Sequence, residues 1–188
     1  PDLTSNGSWD GFVAKLSGDD LALEYLGYIG GADIDYVFTS ALDADGYFYV
    51  AGMTDSTEET FPVVVGPDIT HNGDNDGFIA KVAPDGSGLE YAGYFGGSAY
   101  DLISDMVLDS LGSLYITGET ASTAATFPAQ LGPDLSHNGE KDAFVARLQA
   151  DTTAIDYAGY IGGELTDASD AVAVDIFGNA YVAGYTMS

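Results

Sequence analysis

Pro67-Asp68-Ile69-Thr70-His71-Asn72-Gly73 answers Pro1-Asp2-Leu3-Thr4-Ser5-Asn6-Gly7, and is answered in turn by Pro133-Asp134-Leu135-Ser136-His137-Asn138-Gly139, at a constant interval of 66 residues without a gap. The chain is therefore an array of sequence repeats 1–66, 67–132 and 133–188. A unit of this size cannot bury its apolar face alone and must stack on its neighbours, so the period decides the architecture before any local reading does.

Working outward from that block, each repeat offers four short β-type runs separated by turn signals. In the first repeat they cover residues 12–16, 23–29, 36–42 and 47–54, punctuated by Gly30-Gly31, Asp43-Ala44-Asp45-Gly46 and Gly52. No stretch keeps a period of 3.6 residues. Four strands per repeat correspond to one propeller blade, and the expectation is an all-β array of four-stranded antiparallel blades.

Composition narrows the class. A hydrophobic content of 46% supports a sizeable core, and the mix of Gly, Tyr, Val and Thr suits a β-rich globular chain. Thirty acids against four bases give a net charge of -26. Such a surface argues against a nucleic-acid partner, which needs a basic footprint, and against anionic membrane surfaces. No apolar run approaches the roughly 18–20 residues of a membrane span, so no membrane insertion is expected. The absence of cysteine excludes a disulfide framework and thiolate metal sites. High acidity with few lysines points to an extracellular or cell-surface, calcium-rich or salty setting.

Superposing the repeats sorts the charges. Asp2, Asp10, Glu24, Asp35 and Asp43 return at Asp68, Asp76, Glu90, Asp101 and Asp109, then at Asp134, Asp142, Asp156, Asp167 and Asp175. A carboxylate that returns at one offset reads as a turn or cap residue accepting backbone N–H groups. Lys15, Lys81 and Arg147 share one offset on a strand in which Phe12, Ala14 and Leu16 alternate with Val13 and Lys15. One cation per repeat among recurring aspartates is expected to pair with one of them.

Asp76-Gly77-Phe78-Ile79-Ala80-Lys81-Val82, Leu89-Glu90-Tyr91-Ala92-Gly93-Tyr94-Phe95-Gly96-Gly97, Phe61-Pro62 and the block from Val174-Asp175-Ile176 to Ala183-Gly184-Tyr185-Thr186 together resemble the SBBP-type β-propeller repeat of secreted and cell-surface bacterial and archaeal proteins. The resemblance covers the whole chain. It implies a scaffold of adhesive or structural character and carries no catalytic residues. Ala143 departs from it where the other repeats have glycine.

In the related propeller pattern the run ending near Asp43 is innermost, followed outward by the Tyr-Val, Phe-Val-Ala-Lys and Tyr-x-Gly-Tyr runs. The blades then fall at residues 35–97 and 101–163, with half blades at 12–31 and 167–188. Three blade equivalents lie below the four to eight that propellers use. The expected partners are therefore copies of the chain, completing half blades head to tail into a ring or filament, or further repeats of one longer chain. The rival expectation is a glycan- or calcium-binding module of a longer secreted protein.

Connections of some twenty residues, 55–76 and 121–142, are long enough to be functional, and the repeated Phe-Pro in each argues for a defined path. Within the first, Asn72, Asp74 and Asp76 match the opening of a calcium loop, which makes them candidate metal ligands and calcium the one candidate cofactor. The closing glutamate is missing, since Ala83 stands there. His71 and His137 lack a second histidine nearby, and no zinc site is expected. No enzyme is expected either. A sialidase-type site needs clustered arginines and Arg147 is the only one, Gly-x-Ser-x-Gly does not occur, and a glycosidase carboxylate pair should break a repeat symmetry that no block of unique residues breaks.

Overall fold

The computed structural model describes residues 2–188, so the Pro1 that opens the first repeat lies outside the described residues. It is all-β, with twelve strands: β1 (Gly11–Leu16), β2 (Leu23–Ile29), β3 (Asp35–Leu42), β4 (Phe48–Thr54), β5 (Asp76–Val82), β6 (Leu89–Phe95), β7 (Asp101–Leu108), β8 (Leu114–Thr120), β9 (Asp142–Leu148), β10 (Ile155–Ile161), β11 (Asp167–Val174) and β12 (Ala180–Thr186). They form antiparallel sheets ordered β3-β4-β5-β6 and β7-β8-β9-β10, flanked by the two-stranded sheets β1-β2 and β11-β12. These are two whole blades between two halves, each blade a simple meander.

Consecutive blades stack through their inner strands. β7 packs on β3 and β4, and β11 on β7 and β8. The blade-to-blade core holds Tyr49, Ile79 and Phe95 from one blade with Ile103, Phe127, Phe144 and Tyr160 from the next. A second cluster seats Val13 and Ile29 of the first half blade on Val50, Phe78 and Val82. Both faces of β5 and β9 are covered, which is why Phe78 and Ile79 are equally buried despite pointing to opposite sides.

Each inner strand carries a β-bulge, between Val37 and Thr39, Ile103 and Asp105, and Ser169 and Ala171. The bulge drives a carbonyl against the neighbouring strand where glycine recurs. A Cβ at Gly118 would lie 1.8 Å from the Leu102 carbonyl oxygen, and one at Gly52 would lie 1.7 Å from that of Tyr36.

The long connections follow a defined path. Phe61 is buried against Phe78 and Tyr94, and Phe127 against Phe95, Phe144 and Tyr160. The same loops run along the outermost strands and satisfy part of their backbone. Val64 N–H donates to the Ala92 carbonyl at 2.9 Å, and Gln130 and Ala158 exchange two bonds at 2.8 Å. Asp2 does the same with Tyr28 at 2.9 and 2.8 Å.

Gly118→Ala should cost more than about 2 kcal/mol, because backbone rather than a flexible side chain must yield. Gly88→Ala, where nothing meets a Cβ within 4 Å, should stay within about 0.5 kcal/mol. Urea unfolding of the two variants measures the contrast.

Candidate functional site

Two features recur with the repeat and reach the surface or the junctions: the open strand edges at either end, and the aspartates where blades meet.

At the ends, identical offsets have opposite fates. Phe12 on β1 is 66% exposed, whereas its counterparts Phe78 and Phe144 are fully buried; Leu16 is 57% exposed where Val82 and Leu148 are buried. On β12, Tyr181 is 60% exposed against 1% for Tyr49 and 0% for Tyr115. Ile161, on the uncovered face of the last whole blade, is 40% exposed against 0% for Ile29 and 2% for Phe95. Beside β1 an apolar groove of about 570 Å³ runs between Phe12, Leu16, Val37 and Phe48, where an inner strand pair would sit. Beside β12 a groove of about 550 Å³ lies among Val145, Tyr157, Ile161 and Val182, where an outer pair would sit.

The recurring cation follows the same split. In the first whole blade the Lys81 ammonium lies 3.8 Å from Asp43, with its charge over the Tyr47 and Tyr49 rings. In the second, Arg147 lies 3.6 Å from Asp109 and over Tyr115. Lys15 is the third copy of this cation and Asp175 the third copy of its aspartate, but they stand at opposite ends of the chain. Lys15 instead pairs with Glu24 at 2.8 Å. The Asp175 side already has its pattern, with the Tyr181 hydroxyl donating to Oδ2 at 3.1 Å as Tyr115 does to Asp109 at 3.4 Å.

At the junctions, the aspartate that opens each inner strand organises the turn before it. Asp101 Oδ2 accepts Gly97 N–H at 2.7 Å and the Ser122 hydroxyl at 2.7 Å, and its other oxygen accepts the Thr120 hydroxyl. Asp35 does the same with Gly31, Ser56 and Thr54. Facing each is an aspartate of the preceding blade. Asp76 opens β5 fully buried and accepts Asn72 N–H at 2.7 Å on Oδ2. Its Oδ1 has no partner, and neither has that of Asp10 or Asp142 at the same offset. Burial pushes the Asp76 carboxyl up to about 7, opposed by the Asn72 N–H and reinforced by the charge of Asp101. Burial raises Asp35 and Asp101 as well.

The residues read from the sequence as calcium ligands are placed unequally. Asp76 is buried, while Asn72 and Asp74 are exposed. The Asn72 amide donates to Asp68. Among the described residues no group of three or more His, Asp or Glu side chains converges. His71 and His137 stack edge-on against Tyr94 and Tyr160, each with centroids 5.6 Å apart. Sequence reasoning treated the recurring aspartates singly as caps. That two of the recurring sets, Asp10, Asp76 and Asp142 with Asp35, Asp101 and Asp167, meet across the junctions was missed, although their constant 25-residue spacing was there to be seen.

Residues 156–188 match the family model described as SBBP, Beta-propeller repeat. No curated protein matches the chain. The matched segment runs from the second residue of β10 through β12, and the 66-residue period carries the same blocks into the earlier repeats.

Because the folded Asp76 holds its proton up to about 7 and the unfolded one releases it near 3.8, the folded state binds more protons between those values, and stability contributed by this group falls as pH rises across that window. In chelator-treated buffer Asp76→Asn should flatten the fall. Urea midpoints from pH 4.5 to 7.5 for both proteins check it.

Proposed function

We propose, from the premise of an SBBP β-propeller repeat, that this chain is a structural or adhesive protein of the cell exterior, a scaffold rather than a catalyst, whose arrays assemble head to tail by completing half blades. The observation that carries the reading is the exposure on β1 and β12 of side chains whose counterparts are buried in both whole blades.

The contact needed already exists twice within the chain. β4 pairs with β5 from Phe48 opposite Val82 to Thr54 opposite Asp76, and β8 pairs with β9 from Leu114 opposite Leu148 to Thr120 opposite Asp142. Transposed by the repeat, β12 of one copy meets β1 of the next with Ala180 opposite Leu16, Val182 opposite Ala14 and Gly184 opposite Phe12. Strand addition satisfies both free edges. The inner pair of one copy fills the groove beside β1, and the outer pair of the other fills the groove beside β12. A ring results if the rotation closes and a filament if it does not. The high net negative charge opposes unspecific association while leaving this matched contact open.

The split cation supplies the test. In the completed blade Lys15 meets Asp175 and Tyr181 of the neighbouring copy. Lys15→Glu and Asp175→Lys should each weaken assembly about three- to tenfold, as an opposed rim charge does, and the double exchange should recover most of the loss. Light scattering after size exclusion and negative-stain microscopy at high and low dilution read the outcome. Compact single chains at every dilution would refute assembly between copies and assign the missing half blades to further repeats of a longer chain.

A further inference from the structure

The unpartnered oxygens of the junction aspartates have a chemistry that neither the fold nor the assembly uses. Asp76 Oδ1, fully buried and without a partner, lies 2.8 Å from the position a Cβ on Gly96 would take, and Asp101 Oδ2 lies 2.7 Å from that same position. The arrangement returns at Gly30, with Asp10 Oδ1 at 2.5 Å and Asp35 Oδ2 at 2.8 Å, and at Gly162, with Asp142 Oδ1 at 2.6 Å and Asp167 Oδ2 at 2.8 Å. Three copies of one orphaned carboxylate oxygen, each aimed at a second carboxylate across a glycine, are a property of the repeat.

Backbone oxygens complete the surroundings. The first junction joins the two sets: the Cβ position of Gly7 lies 2.9 Å from Asp10 Oδ1, 2.6 Å from the Gly31 carbonyl oxygen and 2.5 Å from that of Asp33. At the second, the Cβ position of Gly73 lies 2.8 and 2.3 Å from the Gly97 and Ala99 carbonyl oxygens and 3.0 Å from the Ala99 nitrogen, and at the third that of Gly139 lies 3.0 and 2.0 Å from the carbonyl oxygens of Gly163 and Leu165. Each recess is therefore lined mainly by oxygen and kept open by glycine.

Two carboxylates facing one buried point cannot both stay ionised without a counter-charge between them. The chain has four Lys and Arg residues, and all four are paired elsewhere, with Glu24, Asp43, Glu119 and the Asp109–Asp156 pair. We propose that each blade junction binds a hard divalent cation, calcium, between the Asp76-type and Asp101-type carboxylates and the adjoining main-chain carbonyls. Carboxylate and carbonyl oxygens in an irregular arrangement are what calcium takes, whereas magnesium demands a near-ideal octahedron and keeps its waters. The net charge of -26 raises the local concentration of such an ion. The calcium reading thus keeps Asp76 and replaces Asn72 and Asp74 by Asp101 of the next blade. Each site lies within one chain, so it stands or falls independently of assembly between copies.

The test uses the whole chain, stripped with EDTA and returned to calcium or to magnesium at equal ionic strength. Calcium is expected to raise the melting temperature more than magnesium does, and native mass spectrometry is expected to show discrete uptake ending at three ions. Asp76→Asn should lower the uptake by one, Asp142→Asn should do the same at the third junction, and Asp74→Asn should leave it unchanged. If either junction variant fails to fold, the other decides. The proposal is overturned if magnesium and calcium act alike and uptake is graded, the mark of diffuse surface binding. It is equally overturned if Asp74→Asn rather than the junction variants removes an ion, or if no ion binds and Asp76→Asn is as stable as the parent, the mark of a shared proton.

Discussion

A β-strand must find partners for its backbone along both edges, and the way this chain meets that demand governs everything else in it. Within each whole blade the meander satisfies the two middle strands, and the long loop returns to cover the outermost one. The inner strands face one another. The sequence repeat, however, is out of phase with the blade, so β1 and β12 carry edges and side chains built for a sheet interior. Burial of Phe78 and exposure of Phe12 arise from one residue type at one offset, and only the presence of a neighbouring strand distinguishes them.

The aspartates express the same economy at the junctions. The residue that opens an inner strand ties the preceding Gly-Gly turn to a hydroxyl pair at the end of the second strand, so blade, turn and loop are fixed by one carboxylate. Such an anchor fixes the spacing between blades, and it brings the next acid close. The pairing costs desolvation, which shows in the raised Asp76 and Asp101 carboxyls.

Much of this was legible in the sequence, for physical reasons. The strands were marked by alternation and by Gly and Asp turns, and the observed β2 spans the stretch read from the sequence, residues 23–29. The division into two whole blades and two halves followed from the repeat combined with the strand order implied by the family resemblance. What was not legible depends on contacts between repeats. Alternation placed Phe12 opposite Val13, but not which face a neighbour covers. Recurrence marked Asp10 and Asp35 as structural, but a hydrogen-bonding cap and a member of a buried acid pair look the same along the chain. The calcium-like spacing of Asn72, Asp74 and Asp76 is a linear pattern, whereas the orphaned oxygen of Asp76 faces a residue of the following blade.

The loop laid along each outermost strand has a further consequence. By occupying the carbonyl of Ala92, and both backbone groups of Ala158, it takes up groups on the flank that a foreign strand would otherwise join. A sheet protein with sticky edges in every direction grows into a tangle. Under the proposed head-to-tail assembly, growth is confined to a single axis, and because the two ends are unlike, that axis also has a direction.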